Sequence, residues 1–174
     1  MNSMITIILP GYSKHNKEWA MQTAEKLTVE GEVWPILWEH WRDFNITFSP
    51  AEKTESILTI IRNNKVNIIA KSIGTLVAMH LIQKIPEQIG KVILCGLPLT
   101  DIDAERKKIY QEALIDFPPE RLFCIQNEGD PHGSFSQAVA FLRAISPAIN
   151  IIGKPQGDHE YFYIDEFQKF LLND

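Results

Sequence analysis

Short apolar runs rich in β-branched residues alternate along the chain with longer amphipathic segments. Such runs are typical of buried strands, and the amphipathic segments between them are typical of helices that cover a sheet. The alternation predicts a parallel sheet with helices on both faces, a three-layer α/β/α sandwich of the α/β class. The six predicted strands cover residues 4–9, 33–37, 66–70, 92–95, 122–125 and 149–152.

The amphipathic segments carry the start signals of helices. Ser49 precedes Pro50 at the start of one segment and Ser134 opens another, and serine in this position is a common N-cap. The connection over residues 38–49 is long and has no clear pattern. Because no repeat or linker divides the sequence, we expect one domain over residues 1–174. The predicted helices cover residues 16–30, 50–63, 73–85, 104–115, 134–145 and 161–171.

A serine stands where the third predicted strand passes into the next helix, in the sequence AKSIG. This turn is tight, and the small residues Ala70 and Gly74 on either side of Ser72 permit it. The turn would expose the Ser72 hydroxyl at the carboxyl end of the sheet, with the N–H of Ile73 facing any oxyanion formed there. The pattern favours a catalytic nucleophile, although a serine that only caps the helix would give the same sequence.

An acid and then a histidine follow this serine along the chain, which is the order of a catalytic triad whose members lie after successive strands of a parallel sheet. Asp130 lies in QNEGDPHG after the fifth predicted strand, and His159 lies in GKPQGDHEY after the sixth. The carboxyl ends of parallel strands share one edge of the sheet, so we expect both residues near Ser72. Each has an ordinary alternative, since Asp130 could only form a turn and His159 could be solvated. Glu128 and Asp158 compete as the acid, but Asp130 is the better placed.

A second oxyanion donor is expected from the loop after the first strand. The segment ILPGYSKHN places Gly11 there, where the backbone can approach a ligand closely, followed by Tyr12. We assign the donor role to the Tyr12 N–H. A plain glycine turn that leads into a helix is the competing interpretation.

Four short motifs together resemble the α/β-hydrolase superfamily, and in particular its small, lidless members related to dienelactone hydrolase. They are LPGY for the oxyanion turn, AKSIG for the nucleophile elbow, NEGDP for the acid loop and GDH for the histidine loop. The resemblance implies a minimal fold with strand order 2-1-3-4-5-6, in which the first two strands of larger members are absent. Pro10 replaces the common histidine of the oxyanion turn and Ala70 the first glycine of the elbow, but neither change removes a catalytic atom.

Composition and charge narrow the possible partners. The net charge of -5 opposes binding to a phosphate backbone, so we expect no nucleic-acid partner. Cys95 and Cys124 lie inside apolar runs, which suits a reducing compartment. No apolar run reaches the roughly 20 residues that cross a bilayer, and the start of the chain is typical of a strand rather than a signal peptide. These features predict a cytoplasmic protein without a membrane span.

Several other residues are weaker candidates. Lys71 adjoins Ser72, but neighbours at such a turn point apart, so we give it no direct role. Trp38, Trp41 and Phe44 either line an acyl pocket or plug the sheet, and the sequence does not separate these interpretations. No metal-binding spacing links the remaining histidines to other ligands, so we expect no metal site. These histidines are His15, His40, His80 and His132.

The sequence therefore predicts a cofactor-free serine hydrolase that cleaves a small ester or thioester through an acyl-enzyme. Ser72 would attack, His159 would act as general base, and Asp130 would support it. The N–H groups of Tyr12 and Ile73 would bind the oxyanion. A catalytically silent binding module of the same fold is the alternative. A nucleotide- or flavin-binding protein is disfavoured because no G-x-G-x-x-G or P-loop pattern is present. The oligomeric state is not predicted.

Overall fold

The strands and helices alternate along the chain as the pattern predicts. The computed structural model describes residues 4–173, so the ends of the predicted domain, 1–3 and 174, lie outside the described residues. The strands are β1 (Met4–Leu9), β2 (Glu32–Pro35), β3 (Lys65–Lys71), β4 (Ile89–Cys95), β5 (Leu122–Asn127) and β6 (Asn150–Lys154). The helices are α1 (Asn16–Lys26), α2 (Pro50–Ile61), α3 (Ile73–Lys84), α4 (Ala104–Leu114), α5 (Phe135–Ile145) and α6 (Ile164–Leu172).

Within the described residues, the strands form one six-stranded sheet in the order β2-β1-β3-β4-β5-β6. All neighbouring strands are parallel. The predicted architecture and strand order are therefore confirmed. Because the elbow serine follows β3, the order places it at the centre of the carboxyl edge, with β1 and β4 on either side.

Alternate residues of each strand feed separate apolar cores on the two faces of the sheet. Ile7 and Ile68 belong to the core that includes residues of α2, α3, α4 and α5, whereas the adjacent Ile8 and Ile69 belong to the core that includes residues of α1 and α6. This division follows from the two-residue period of a strand. The central strands are covered on both faces, which explains why their sequences are continuously apolar.

The helix predicted over residues 16–30 is wrong at its end, because α1 stops at Lys26. Leu27 is already extended, and the chain must turn to reach the edge of the sheet. Gly31 makes that turn with φ +84, and a Cβ there would lie 2.0 Å from the Met4 carbonyl oxygen. The residues between Lys26 and Glu32 therefore connect α1 to β2 rather than extending the helix.

Two strands extend further toward the carboxyl edge of the sheet than predicted, to Lys71 in β3 and Asn127 in β5. Sequence reasoning ended them where the apolar residues ended. The buried polar side chains nevertheless find partners: Lys71 Nζ donates to Asn16 Oδ1 at 2.8 Å, and Gln126 Oε1 accepts from the Leu97 N–H at 2.8 Å. These bonds offset the cost of burying polar groups.

Gly74 allows α3 to begin in direct contact with the end of β1. A Cβ at this position would lie 2.2 Å from the Leu9 carbonyl oxygen and 2.8 Å from the Pro10 carbonyl oxygen. Both atoms belong to the backbone and cannot swing away. The requirement for a small residue two positions after Ser72 is therefore a packing requirement against β1.

We predict that Gly74→Ala destabilises the protein, because the added methyl group must displace α3 from β1. The expected loss is about 1–3 kcal/mol, the usual cost of overpacking, and thermal denaturation measures it. Gly157→Ala is the matched control, since a Cβ at Gly157 meets nothing within 4 Å. Equal melting temperatures for the two variants would contradict this account.

Candidate functional site

Ser72 occupies a strained turn between β3 and α3, with φ 56 and ψ -126. Such a backbone conformation is unfavourable for a residue other than glycine and persists only where the surroundings enforce it. The Ser72 N–H donates to the Cys95 carbonyl at 2.9 Å, and the Ser72 carbonyl accepts from the Thr75 N–H at 2.9 Å. These bonds hold the turn from both sides.

The Ser72 hydroxyl does not act as a helix cap. Although Ser72 stands at the N-cap position of α3, its side chain makes no capping hydrogen bond. Ser72 instead lines a cleft of about 290 Å³. The alternative that Ser72 serves only as a helix cap is therefore not supported. The cleft is lined by Tyr12, Phe48, Pro50, Ser72, Ile73, Pro98, Asp101, Ile102 and Arg106.

The structure brings Asp130 and His159 together from the loops after β5 and β6. Nδ1 of His159 lies 2.7 Å from Oδ2 of Asp130, whose side chain is buried. The same carboxylate accepts the Tyr161 hydroxyl at 2.5 Å and the His132 N–H at 2.8 Å. Asp130 is thus enclosed by three donors.

The charge state of Asp130 follows from this enclosure. Burial alone raises the pKa of the carboxyl, but the hydrogen bonds from His159, Tyr161 and the His132 N–H outweigh burial and hold the pKa below its ordinary value. The carboxyl is therefore an ionised acceptor. Nδ1 of His159 carries the hydrogen that it donates to Asp130, so Nε2 is the nitrogen left to exchange a proton.

His159 lies close to the strand end that supports Ser72. A Cβ at Gly96 would lie 2.9 Å from Cε1 of His159, and Gly96 directly follows Cys95. Nε2 is buried and has no hydrogen-bond partner among residues 4–173. Ser72 and His159 are therefore brought to the same edge of the sheet without a hydrogen bond between them.

The two competing carboxylates, Asp158 and Glu128, lie in other surroundings. Oδ1 of Asp158 accepts from Nδ2 of Asn127 at 3.2 Å and from the Glu160 N–H at 3.0 Å. Glu128 is exposed, and its N–H is bonded to the Lys154 carbonyl. Neither carboxylate is hydrogen-bonded to His159, so the structure brings only Asp130 to the imidazole among these acids.

Sequence reasoning missed Tyr161, which it placed at the start of the last helix. That helix begins instead at Ile164, and Tyr161 is fully buried. Its hydroxyl donates to Asp130 and accepts from the Asn127 N–H at 3.0 Å. The available signal was weak: a tyrosine in an apolar segment needs a partner for its hydroxyl when it is buried.

His132 borders this arrangement. Its ring lies 4.4 Å from the His159 ring between centroids, and its Nδ1 lies 2.5 Å from Oδ2 of Asp101. Asp101 also lines the cleft. The sequence favoured a solvated loop position for His132, whereas the structure pairs its ring with Asp101 and packs it against His159.

Lys71 points away from the cleft, toward α1. Its Nζ donates to Asn16, lies 3.6 Å from Oε2 of Glu160 and sits 5.6 Å from the centre of the Trp19 ring. Burial lowers the pKa of the Lys71 ammonium, and the nearby Glu160 carboxylate partly opposes that shift. Neighbouring residues at this turn thus face opposite sides of the sheet, as expected.

The candidate oxyanion donors are the backbone N–H groups of Tyr12 and Ile73. The Tyr12 N–H makes no hydrogen bond to any part of the chain within residues 4–173. The N–H of Ile73 lies in the first turn of α3, where backbone donors have no acceptor inside the helix. Tyr12, Ser72 and Ile73 all line the same cleft.

The segment 38–49 has more structure than its sequence indicated. It contains a 3-10 turn over Glu39–Trp41, and both Trp38 and Trp41 are buried in the apolar core. Phe44 projects outward and is 89% exposed. The two tryptophans therefore plug the sheet, and the aromatic residue that this segment contributes to the cleft is Phe48.

Two further features bear on ligand and membrane binding. Among residues 4–173, no group of three or more His, Cys, Asp or Glu side chains is arranged to hold a metal ion. Over the same part of the chain, no helix combines the length and the apolar character that crossing a membrane requires.

Known proteins resemble this chain in structure, although comparison of sequences found no match. No protein-family model matches the chain, and no curated protein matches it. A protein described as a YdeN-like hydrolase, from Pectobacterium atrosepticum, is 15% identical, with a TM-score of 0.68 over 97% of this chain and 91% of its own. A lidless α/β serine hydrolase from Xanthomonas campestris is 14% identical, with a TM-score of 0.63 over 97% of this chain and 78% of its own.

The esterase domain of a Rhodothermus marinus protein is also similar in structure. It is 14% identical, and the match covers 96% of this chain and 82% of that domain with a TM-score of 0.64. Each likeness spans nearly the whole of this chain, and the strand order agrees with the order that the sequence motifs implied. The chain has the α/β-hydrolase fold.

Proposed function

We propose that this protein is a serine hydrolase that cleaves small carboxylic esters or thioesters through an acyl-enzyme. The observation that carries the proposal is the pairing of His159 with the buried, ionised Asp130 at the sheet edge that also holds Ser72, whose hydroxyl is not used as a helix cap. The hydrolases and esterases that share the fold add support. The residue roles rest on the geometry of this chain alone.

In the proposed reaction, Oγ of Ser72 attacks the carbonyl carbon while Nε2 of His159 takes the hydroxyl proton. The negative charge that develops on the carbonyl oxygen is bound by the N–H groups of Tyr12 and Ile73. The tetrahedral intermediate then expels the alcohol or thiol, which receives its proton from His159. A water molecule, deprotonated by His159, next attacks the acyl-enzyme and releases the carboxylic acid, and Ser72 recovers its proton.

Asp130 has two tasks in this scheme. It keeps Nδ1 of His159 protonated and so presents Nε2 toward the reaction, and its charge stabilises the imidazolium that forms during each proton transfer. The hydrogen bonds from Tyr161 and the His132 N–H fix the carboxylate and keep it ionised. Tyr161 is therefore a positioning residue that acts through Asp130.

One observation favours the alternative of a catalytically silent binding module: Ser72 and His159 are not hydrogen-bonded. In unliganded enzymes the bond between nucleophile and base is often long and tightens only in the substrate complex. The two functions differ in one property that is simple to test, which is the reactivity of the Ser72 hydroxyl.

We predict that a fluorophosphonate probe labels the protein once, at Ser72, because only a serine with an adjacent base is sufficiently nucleophilic at neutral pH. Intact-mass and peptide mass spectrometry measure the stoichiometry and the position. Ser72→Ala should stay folded and unlabelled. Labelling that persists in Ser72→Ala, or a parent protein that is never labelled, would refute the proposed function.

The acid should be Asp130 rather than its neighbours. We expect Asp130→Asn to lower kcat by on the order of 10⁴, the cost of removing the charge of a triad acid. Glu128→Gln and Asp158→Asn are matched controls and should each cost less than about tenfold. The measurement is steady-state hydrolysis of a short p-nitrophenyl ester. A mild Asp130→Asn variant beside a crippled Glu128→Gln variant would move the acid to Glu128.

Short acyl groups should be preferred, because a cleft of about 290 Å³ has little room to desolvate a long chain. We expect kcat/KM to fall from acetyl and butyryl esters to dodecanoyl esters. Ile102→Ala removes side-chain volume from the wall of the cleft and should shift the preferred acyl length toward longer chains. A steady rise of kcat/KM with chain length in the parent would mean that another surface binds the acyl group.

A further inference from the structure

Three successive carbonyl groups in the loop after β1 accept hydrogen bonds from aromatic side chains of the segment after β2. Nε1 of Trp38 donates to the Pro10 carbonyl at 3.2 Å and to the Gly11 carbonyl at 3.1 Å. Two more donors converge on the next carbonyl, that of Tyr12: Nε1 of Trp41 at 2.7 Å and Nε2 of His40 at 2.8 Å. We call Trp38, His40 and Trp41 the aromatic clamp.

Peptide geometry links the clamp to the candidate oxyanion donor. The Gly11 carbonyl and the Tyr12 N–H belong to one planar trans peptide, so they point in opposite directions. By holding the Gly11 oxygen, Trp38 directs the Tyr12 N–H away from itself. The bonds from Trp41 and His40 to the Tyr12 oxygen fix the following peptide. The clamp thus sets both peptide planes around Tyr12.

The clamp members themselves are immobilised. Trp38, His40 and Trp41 are 2%, 7% and 5% exposed. The His40 ring stacks on the Tyr12 ring with 4.7 Å between centroids, and Phe48 packs edge-on against both rings. Because a carbonyl oxygen only accepts, Nε2 of His40 must carry the hydrogen of its bond to Tyr12. Nδ1 of His40 is buried and has no partner among residues 4–173, so the bond to Tyr12 is the ring's one polar contact there.

We propose that the aromatic clamp positions the Tyr12 N–H as an oxyanion donor. The inference rests on the proposed function and assigns positioning roles to Trp38, His40 and Trp41, none of which touches the reacting atoms. Donors held in place before the reaction cost no reorganisation when charge develops. A hydrogen bond to the Gly11 carbonyl also polarises that peptide and strengthens its N–H as a donor.

Single substitutions separate positioning from simple packing. Trp38→Phe and Trp41→Phe remove an N–H but keep an aromatic ring, and His40→Leu removes the third donor. We expect Trp38→Phe to lower kcat by at least about tenfold. The loss should stay below the roughly 10²–10³ that removal of a whole oxyanion donor costs. KM should change by less than about twofold. Trp41→Phe should have a smaller effect, because it holds the following peptide.

Two controls are matched to these changes. Trp34→Phe removes an indole N–H that donates to Glu32 on the same edge strand, at 2.6 Å, and should leave kcat within about twofold of the parent. His40→Gln retains an N–H donor, so it should recover most of the activity that His40→Leu loses. Melting temperatures of all variants show whether a loss of activity is only a loss of fold.

The distinguishing readout is inhibition by a short-chain trifluoromethyl ketone. Its adduct with a serine carries an oxyanion, so its affinity reports the oxyanion site directly. We expect Trp38→Phe and His40→Leu to weaken inhibition by the same factor by which they lower kcat, while the fluorophosphonate probe still labels Ser72.

The possible outcomes are distinguishable. Unchanged kcat and unchanged inhibition in both Trp38→Phe and His40→Leu would overturn the clamp and leave the hydrolase proposal intact. A rise in KM alone, or a loss of activity in His40→Gln equal to that in His40→Leu, would also overturn it. A parent protein without activity or labelling at Ser72 would refute the proposed function, and the clamp with it.

Discussion

The left-handed backbone at Ser72 is the constraint on which the candidate site depends. A non-glycine residue in this region costs on the order of 1–3 kcal/mol, so neighbouring structure must enforce it. Here β4 supplies an acceptor for the Ser72 N–H through Cys95, and the Leu9 carbonyl of β1 lies against Gly74. The three central strands thus meet around one turn. Their parallel order makes this possible, because it brings all three carboxyl ends to one edge.

Buried polar residues form a second layer around this turn. Tyr161 links the Asp130 carboxylate to the backbone of β5 at Asn127, and Gln126 on the same strand ties down the loop that follows β4. Each of these bonds has partners from different parts of the chain. A buried network of this kind is costly when any member is left unpaired, which holds the loops that carry Asp130 and His159 in one arrangement.

The sequence predicted what depends on local pattern. Apolar runs located the strands, and the small residues around Ser72 located the elbow, because strand burial and tight turns leave a local signature. The roles of Tyr161 and of Trp38 in the structure had no such signature. Each is a bond between a side chain and a backbone or carboxylate group far away in the sequence, and an apolar or helical pattern describes the same residues equally well. The predicted end of α1 was also wrong, because the chain leaves the helix after Lys26 on its way to β2.

The strand order also divides the candidate machinery in space. Tyr12 and Trp38 follow β1 and β2 on one side of Ser72, whereas Asp130 and His159 follow β5 and β6 on the other. On the proposed assignment, one half of the sheet edge stabilises the negative charge on the carbonyl oxygen, and the other half transfers protons. Hydrogen bonds from Trp19 to the Tyr161 carbonyl, at 2.8 Å, and between His15 and Glu160, at 2.9 Å, join the two halves. On this assignment, substitutions in the loops after β1 and β2 act on the binding of the carbonyl group, whereas substitutions in the loops after β5 and β6 act on proton transfer.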